Sequence, residues 1–375
     1  MTNPPPPVTH SSHATVPLEP VAFPLSWLLD NASAPIRYRS LLEVARLEIQ
    51  GEKLLALPLS YKPALELALL QGRDGVWHGS MLALPSARGG SFRGVGTIPA
   101  VRRLLEYGWE RESPPLLQSR RLLFRLLAED DDPAWLFELG RGKMSLEMVQ
   151  RGRGLLREAA AAALAQAGYE GDPRLRGAAQ RILDRVVGYL RSPLAEKPWI
   201  RVGNKHVLAA EASPPSFYTL LMLAYMPLFR SERFSQVEYL FQHLTRPLPR
   251  QAAQQLVGDK IVEQPHLVLG DMLPHRNAAD ADVPFALFWL ELMARLQFLR
   301  RHEGWLALYE RFLADRDNDF VWHPHKGMAM PRSNNPAVWP YFPLESSPTG
   351  EERWTDVTFR LGLIARLMGR PIELV

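Results

Sequence analysis

A glycine-rich stretch between two helical segments constrains the fold of this chain more than any other feature. Residues 71–97 hold seven glycines, and the segments on either side are made of good helix formers. Tyr61–Leu70 precedes the stretch, and a second helix opens after it at Thr97, a predicted N-cap, with Pro99 in its first turn. Because glycine allows backbone angles that helices and strands do not use, we expect a hinge that packs two helices side by side.

A two-helix unit recurs along the rest of the chain. Each unit has an apolar helix, a short break and an amphipathic helix rich in arginine, and the apolar helices begin near residues 97, 146, 217, 285 and 358. The last of them is predicted to pair with an early helix within residues 35–47. This pattern predicts an all-α fold, an α/α toroid of about five to six helical hairpins with the apolar helices inside. An open α-solenoid would give much the same pattern and remains the alternative.

The hinge carries a family resemblance. Gln71, Asp74, Gly75 and Trp77 match the Gln-x-x-Asp-Gly-x-Trp turn in the repeats of squalene cyclases and protein prenyltransferase β subunits. The chain therefore resembles the terpenoid cyclase and prenyltransferase superfamily of α/α toroids. The resemblance implies a ring whose central cavity serves isoprenoid chemistry.

The catalytic motifs of that superfamily are missing from this sequence. The nearest match to the Asp-x-Asp-Asp motif of cyclases is the run from Glu129 to Asp132, which ends at Pro133 and fails. An Asp-Asp-x-x-Asp magnesium motif is likewise incomplete at this run. The chain has no cysteine, which excludes a cysteine-containing zinc site such as that of prenyltransferases. No cofactor and no metal site are predicted.

Candidate catalytic residues come from polar positions close to predicted inner helices. Asp280 and Asp282 precede the helix at Phe285 and lie two residues apart, a spacing that suits a shared proton or a bound cation. Asp282 and Asp356 also fit the N-caps of the helices that follow them. His323 begins a His-Pro-His sequence. A pair of histidines two residues apart is weak evidence for a metal.

Aromatic residues supply the candidate ligand-binding positions. Residues 320–354 form a predicted loop that holds several tryptophans, tyrosines and phenylalanines, and long loops in compact folds are often lids or binding loops. We expect this loop to cover the mouth of the ring, with Phe217 and Phe288 among the residues of the cavity wall. The ligand-binding candidates are Trp77, His78, Tyr218, Trp289, His325 and Tyr341.

Three functions remain open from the sequence. The first is a terpenoid-cyclase-like protein that binds an apolar, isoprenoid-like ligand in its cavity, since aromatic faces stabilise cationic intermediates. The second is a carbohydrate-active toroid with two carboxylates as acid and base. The third is a non-catalytic scaffold that binds a protein partner. Whether the chain is an enzyme is not decided by these residues.

The composition of the sequence bears on its domain organisation, its location in the cell and its possible partners. Residues 1–18 are rich in proline, serine and threonine and are expected to be a disordered tail, followed by a single domain over residues 19–375. The start of the chain lacks the charged and apolar regions of a secretory signal, so a cytoplasmic protein is expected. No apolar run is long enough to span a membrane. Arginines are spread over the helices, so no nucleic acid partner is expected.

Overall fold

The computed structural model describes residues 19–48, 54, 56–85, 92–128, 145–324, 333, 335–345 and 352–375. Within these residues the chain forms fifteen α-helices and six strands. The first helices are α1 (Leu25–Asn31), α2 (Ala34–Arg39), α3 (Leu57–Ser60), α4 (Lys62–Leu69), α5 (Thr97–Glu106), α6 (Pro114–Leu126), α7 (Leu146–Gln166) and α8 (Pro173–Leu190). The others are α9 (Phe217–Ala224), α10 (Pro227–Glu232), α11 (Phe234–Leu244), α12 (Arg276–Ala281), α13 (Val283–Arg295), α14 (Glu303–Ala314) and α15 (Glu352–Leu367).

The predicted two-helix units are confirmed as helices. They correspond to α5 with α6, α7 with α8, α9 with α11, and α13 with α14. Twelve consecutive residues of α13, Val283–Ala294, are all buried, as expected for a helix that is apolar on almost every side. The second helices alternate buried and exposed positions; in α8, for example, Leu175, Ile182 and Val186 are buried whereas Arg181 and Arg185 are exposed.

The first helices of the units contact one another in a cycle. Helix α5 packs on α7, α7 on α9, α9 on α13, and α13 on α15. Helix α15 then packs on α2 and on the π-helical turn Ser40–Ala45 that follows it, which confirms the predicted pairing of the last helix with the early one. The short helices α3 and α4 connect α2 back to α5. The order of contacts therefore returns to its starting helix.

The glycine-rich stretch forms the turn that the sequence predicted. Asp74 Oδ1 accepts a hydrogen bond from the Val76 N–H, and Gly75 has a φ of 83°, a conformation that favours glycine. Trp77 Nε1 donates to the Leu67 carbonyl at the end of α4 at 2.8 Å. The prediction of Thr97 as an N-cap is wrong, because Gly96 precedes the helix. The Thr97 hydroxyl instead bridges the Trp77 N–H and a carbonyl of the same turn.

Two sheets correct the all-α expectation. Strands β2 (Trp199–Val202), β3 (Lys205–Leu208), β4 (Gln254–Val257) and β5 (Lys260–Glu263) form two antiparallel hairpins joined by a parallel contact between β3 and β4. Each hairpin turns on a Gly-Asn or Gly-Asp pair, with Gly203 and Gly258 at positive φ. Such two-residue turns between β-branched residues are a strong local signal for hairpins. This hairpin signal was not used, because the helical periodicity of the rest of the sequence indicated an all-α fold.

The second sheet joins the two ends of the described domain. Strand β1 (Val21–Phe23) pairs in parallel with β6 (Ile372–Leu374), in the register Val21 to Ile372 and Phe23 to Leu374. The Phe23 ring lies against Gly362 of α15, where an added Cβ would come within 2.4 Å of the ring. The strand pair therefore packs directly on the last helix of the cycle.

Candidate functional site

The C-terminal ends of the cyclically packed helices meet at one cleft. Glu106, Gln166 and Arg295 are the last residues of α5, α7 and α13, and Tyr225 directly follows α9. Arg39 lies where α2 continues into the π-helical turn Ser40–Ala45. All five line a cleft of about 410 Å³. Its other lining residues are Tyr38, Leu42, Glu43, Leu105, Gly108, Trp109, Glu110, Arg111, Glu112 and Ala167.

A network of buried ion pairs reaches the lining of this cleft through Arg39, Glu106 and Arg295. Arg39 Nη1 lies 2.6 Å from Glu106 Oε2, and the same oxygen lies 2.8 Å from Arg360 Nη2. Arg360 also pairs with Glu291 at 3.1 Å, and Arg295 pairs with Glu291 at 2.8 Å. The five side chains come from α2, α5, α13 and α15, so the network ties helices across the cycle. A buried charge is tolerated only with such partners.

The network keeps its carboxylates ionised. Burial by itself would raise the pKa of Glu106, but Arg39 and Arg360 outweigh it and hold that pKa at about 2. Burial likewise opposes ionisation of Glu291, whose pKa is nevertheless lowered by Arg295 and Arg360. Gln166 Nε2 donates to Glu106 Oε1 at 2.8 Å. These carboxylates are therefore hydrogen-bond acceptors at neutral pH rather than proton donors.

The rim of the cleft is charged and aromatic. Glu110 and Glu112 are exposed, and Arg111 pairs with Glu112 at 2.7 Å. Burial, followed by the negative charges of Glu110 and Glu43, raises the pKa of Tyr38. The Trp109 ring is anchored by an Nε1 hydrogen bond to the Pro58 carbonyl.

None of the predicted site residues that the structure describes lies in this cleft. Three of the aromatic ligand-binding candidates are core residues: Trp77, Trp289 and Tyr341 are all at most 3% exposed. The Tyr341 ring packs on Phe288 at a centroid distance of 5.5 Å and covers the Arg360 guanidinium at 3.6 Å. Tyr218 is half-buried, and His78 is exposed in the hinge turn. His325 lies outside the described residues.

The aromatic residues expected to form a cavity wall pack on one another. Phe217 contacts Phe285, Phe288 and Trp289 at ring centroid distances of 6.0, 5.9 and 6.5 Å. Trp289 in turn contacts Trp305 edge-on at 5.9 Å. These geometries are those of a packed aromatic core.

The structure also places the candidate acids apart from one another. Asp280 pairs with Arg311 of α14. Asp282 is the N-cap of α13, where its Oδ1 accepts from the Phe285 N–H at 2.9 Å. His323 contacts the Asp317 carboxylate, which also caps the turn leading to Val321. These contacts stabilise local structure and do not assemble a shared site.

Asp356 is a special case. Its interpretation as an N-cap is wrong, because α15 begins at Glu352 and Asp356 lies inside the helix, fully buried. Its Oδ2 accepts from the Leu344 N–H at 2.6 Å, whereas Oδ1 is buried without a hydrogen-bond partner among the described residues. Burial raises the pKa of this carboxyl. Asp356 is thus a buried acid that lies outside the cleft.

The residues that build the cleft were not predicted from the sequence. The available signal was a charged residue within an otherwise apolar helix: Glu291 follows eight buried residues in α13, and Arg360 stands among buried residues of α15. A charge at such a position requires a buried partner of opposite sign. The partners are far apart in sequence, so only the tertiary structure identifies them.

Comparisons with known proteins give no relative: no protein-family model, no curated protein and no solved structure matches this chain. No helix in the described part of the chain is both long enough and apolar enough to cross a bilayer. Within the described residues, histidine, aspartate and glutamate side chains nowhere gather in threes at a geometry suited to a metal ion.

Proposed function

We propose that the chain is an α/α toroid that binds a small polar ligand carrying a positive charge in the cleft described above. The toroid is supported by the cyclic order of contacts from α5 through α7, α9, α13, α15 and α2 back to α5. It is also supported by β1 and β6, which hold the two ends of the domain together. The ligand class follows from the charges around the cleft.

The observation that carries the proposal is the convergence of helix C-terminal ends on one charged cleft. Each C-terminal end carries a partial negative charge, because the peptide dipoles of a helix are aligned along its axis. The lining adds four carboxylates, from Glu43, Glu106, Glu110 and Glu112, against three arginines. The combined field therefore favours a cation. The cleft volume of about 410 Å³ fits a small molecule.

The rim offers contacts that suit an organic ammonium group. Glu110 is exposed and its charge acts on the nearby Tyr38. Tyr38 and Trp109 also line the cleft, with 5% and 7% of their surface exposed. Gln166 supplies an amide beside Glu106. The carboxylates of the buried ion network are already neutralised by arginines. Selection between ligands would therefore depend on the residues at the rim.

Calorimetric titration with three probes of similar size tests the ligand class. We expect 1,4-diaminobutane to bind, and to bind more weakly as salt is added, whereas succinate and glucose bind less or not at all. Glu110→Gln should weaken diamine binding about three- to fivefold, the effect of one exposed charge pair. Glu263→Gln, at an exposed position on β5, should leave binding unchanged.

Two results would contradict the cationic-ligand proposal. Tighter binding of succinate would reverse the sign of the inferred field. Tight binding of glucose, unaffected by salt, would favour the carbohydrate alternative.

The closed ring has a test of its own. The chain contains no cysteine, so a pair introduced as Ala22→Cys and Glu373→Cys could form only one disulfide. These positions are direct partners in the β1–β6 register. Rapid oxidation of the folded variant, and none in urea, supports ring closure through these strands. A folded variant that stays reduced contradicts it.

An apolar ligand remains a second proposal, because it is what the resemblance implies and because the interior is rich in aromatic rings. The cluster of Phe217, Phe285, Phe288 and Trp289 would then have to open to admit it. Solvent extraction of purified protein followed by mass spectrometry tests this proposal. A stoichiometric isoprenoid or other lipid supports it, and protein that carries none contradicts it.

A further inference from the structure

One segment of irregular chain is inserted among the helices of the cycle. Residues 335–345 contact α5 and α15, and three side chains donate hydrogen bonds to carbonyl groups of this segment. Arg103 donates to the carbonyls of Trp339 and Pro343, Arg360 donates to that of Tyr341 at 2.7 Å, and the Tyr61 hydroxyl donates to that of Leu344 at 2.9 Å. We call this segment the plug.

The plug fills space that the helices would otherwise leave open. Val338, Tyr341, Phe342 and Leu344 are at most 4% exposed and belong to the main hydrophobic core. Tyr341 packs between Phe288 of α13 and Arg360 of α15. Removing the plug would therefore expose both the aromatic cluster and the buried ion pairs.

The last described residue of the plug brings a second buried carboxyl next to Asp356. Glu345 is 4% exposed, and its Oε1 accepts from the Ser33 N–H, at the N-cap of α2, at 2.6 Å. Asp356 holds the preceding residue through the Leu344 N–H. Glu345 and Asp356 thus fasten the same end of the plug, one to α2 and the other to α15.

The groups around Glu345 and Asp356 do not supply enough positive charge to neutralise both side chains as carboxylates. Asp356 is the negative group that acts on Glu345, whose other partners are the neutral groups of Ser33 and Thr355. The cations Arg360, Arg103 and Arg39 act on Asp356, and the Tyr107 phenol lies in the same field. Each of these arginines already has its own oxygen partners, either in the plug or in the ion network.

We propose that Glu345 and Asp356 form a proton-dependent latch, which keeps the plug seated while Glu345 is neutral and loosens it when Glu345 ionises. Ionisation would place a negative charge in a buried site beside a second acid, without a cation of its own. Release of the plug would move Glu345 into water, where its charge is stabilised. The inference does not depend on the ligand proposed for the cleft.

The size of the effect follows from the proton affinity of Glu345. Burial, reinforced by Asp356, raises its pKa from 4.5 to about 7. A carboxyl whose pKa is about 7 when buried and 4.5 in water favours the water-exposed form about ten times more strongly at pH 8 than at pH 6. The equilibrium for opening the plug should therefore rise about tenfold over this interval.

Hydrogen–deuterium exchange of the full chain tests the latch. After correction for the intrinsic pH dependence of exchange, amides of residues 335–345 should lose about tenfold in protection between pH 6 and pH 8. Amides of α7 and α9, which are remote from the pair, should not. Binding of an apolar fluorescent dye such as ANS should rise over the same interval.

Two variants separate the latch from a general loss of stability. Glu345→Gln is neutral at every pH, so protection of the plug should become independent of pH. Glu196→Gln, at an exposed position, should behave as the unmodified chain. Equal plug protection at pH 6 and pH 8 in the unmodified chain would overturn the proposal, whatever the folding of the variants. A plug in Glu345→Gln that still loosens at pH 8 would overturn it as well.

Discussion

The buried ion network makes a quantitative prediction for Glu106→Gln. The substitution keeps the shape of the side chain but removes the charge that faces Arg39 and Arg360, both at most 4% exposed. Breaking a buried pair by removing one partner costs about 3–5 kcal/mol, because the remaining charge stays buried without compensation.

Proton linkage gives an independent figure for the same site. The pKa of Glu106 falls from 4.5 to about 2 on folding, and each pKa unit corresponds to 1.36 kcal/mol. Ionisation of Glu106 therefore stabilises the folded chain by about 3 kcal/mol above pH 4.5, and this contribution is lost as the pH falls towards 2. The two routes agree.

Urea unfolding at pH 7, followed by circular dichroism, measures the loss. Glu106→Gln should lower the free energy of unfolding by about 3–5 kcal/mol and should flatten its pH dependence between pH 4.5 and pH 2. The control is Glu66→Gln, which disrupts an exposed pair with Lys62 at 3.8 Å and should cost less than about 0.5 kcal/mol. If both variants lose equally little, the network does not hold the helices together as described.

Three further predictions concern single positions. Asp282→Ala should cost about 1 kcal/mol in urea unfolding by removing the N-cap of α13, whereas Asp282→Asn should restore most of it; equal losses would refute the capping role. Gly362→Ala should cost about 1–3 kcal/mol, because the new methyl group would overlap the Phe23 ring, and an unchanged melting temperature would show that β1 does not pack there. Glu345→Gln should raise the free energy of unfolding at pH 8 by up to about 3 kcal/mol but have little effect at pH 4, since the unmodified chain loses this stability as the pH rises from 4.5 to about 7; an equal gain at both pH values would contradict the raised pKa.

Local patterns in the sequence were sufficient to predict the helices of the two-helix units, but not the short helices α10 and α12. The hinge at residues 71–97, the apolar face of α13 and the pairing of the last helix with α2 follow from periodicity, glycine placement and the Asp-Gly-x-Trp turn. These features depend on residues close in sequence, or on one helix whose apolar surface needs a neighbour. The hairpins at Gly203 and Gly258 had a local signal as well, in their two-residue turns.

The candidate site was not predictable in the same way. Glu106 and Arg360 are 254 residues apart in sequence, and neither has a neighbour in sequence that reveals its partner. Residues such as Asp280, Asp282 and His323 looked functional because polar residues stand out beside apolar helices. In the structure Asp280 forms an ion pair, Asp282 caps a helix and His323 contacts a turn. Polar residues next to helices are needed for these local tasks as often as for chemistry.

The pairing of β1 with β6 has a consequence for the order of folding. Val21 and Ile372 are register partners, so β1 has no partner during synthesis until β6 has been made. Helices such as α7 and α9, which are closer in sequence, can pack earlier. Contacts between residues so distant in sequence slow folding, because a very long loop must be closed before they form. During synthesis β1 would therefore remain unpaired until β6 leaves the ribosome. The β1–β6 pair can form only after that.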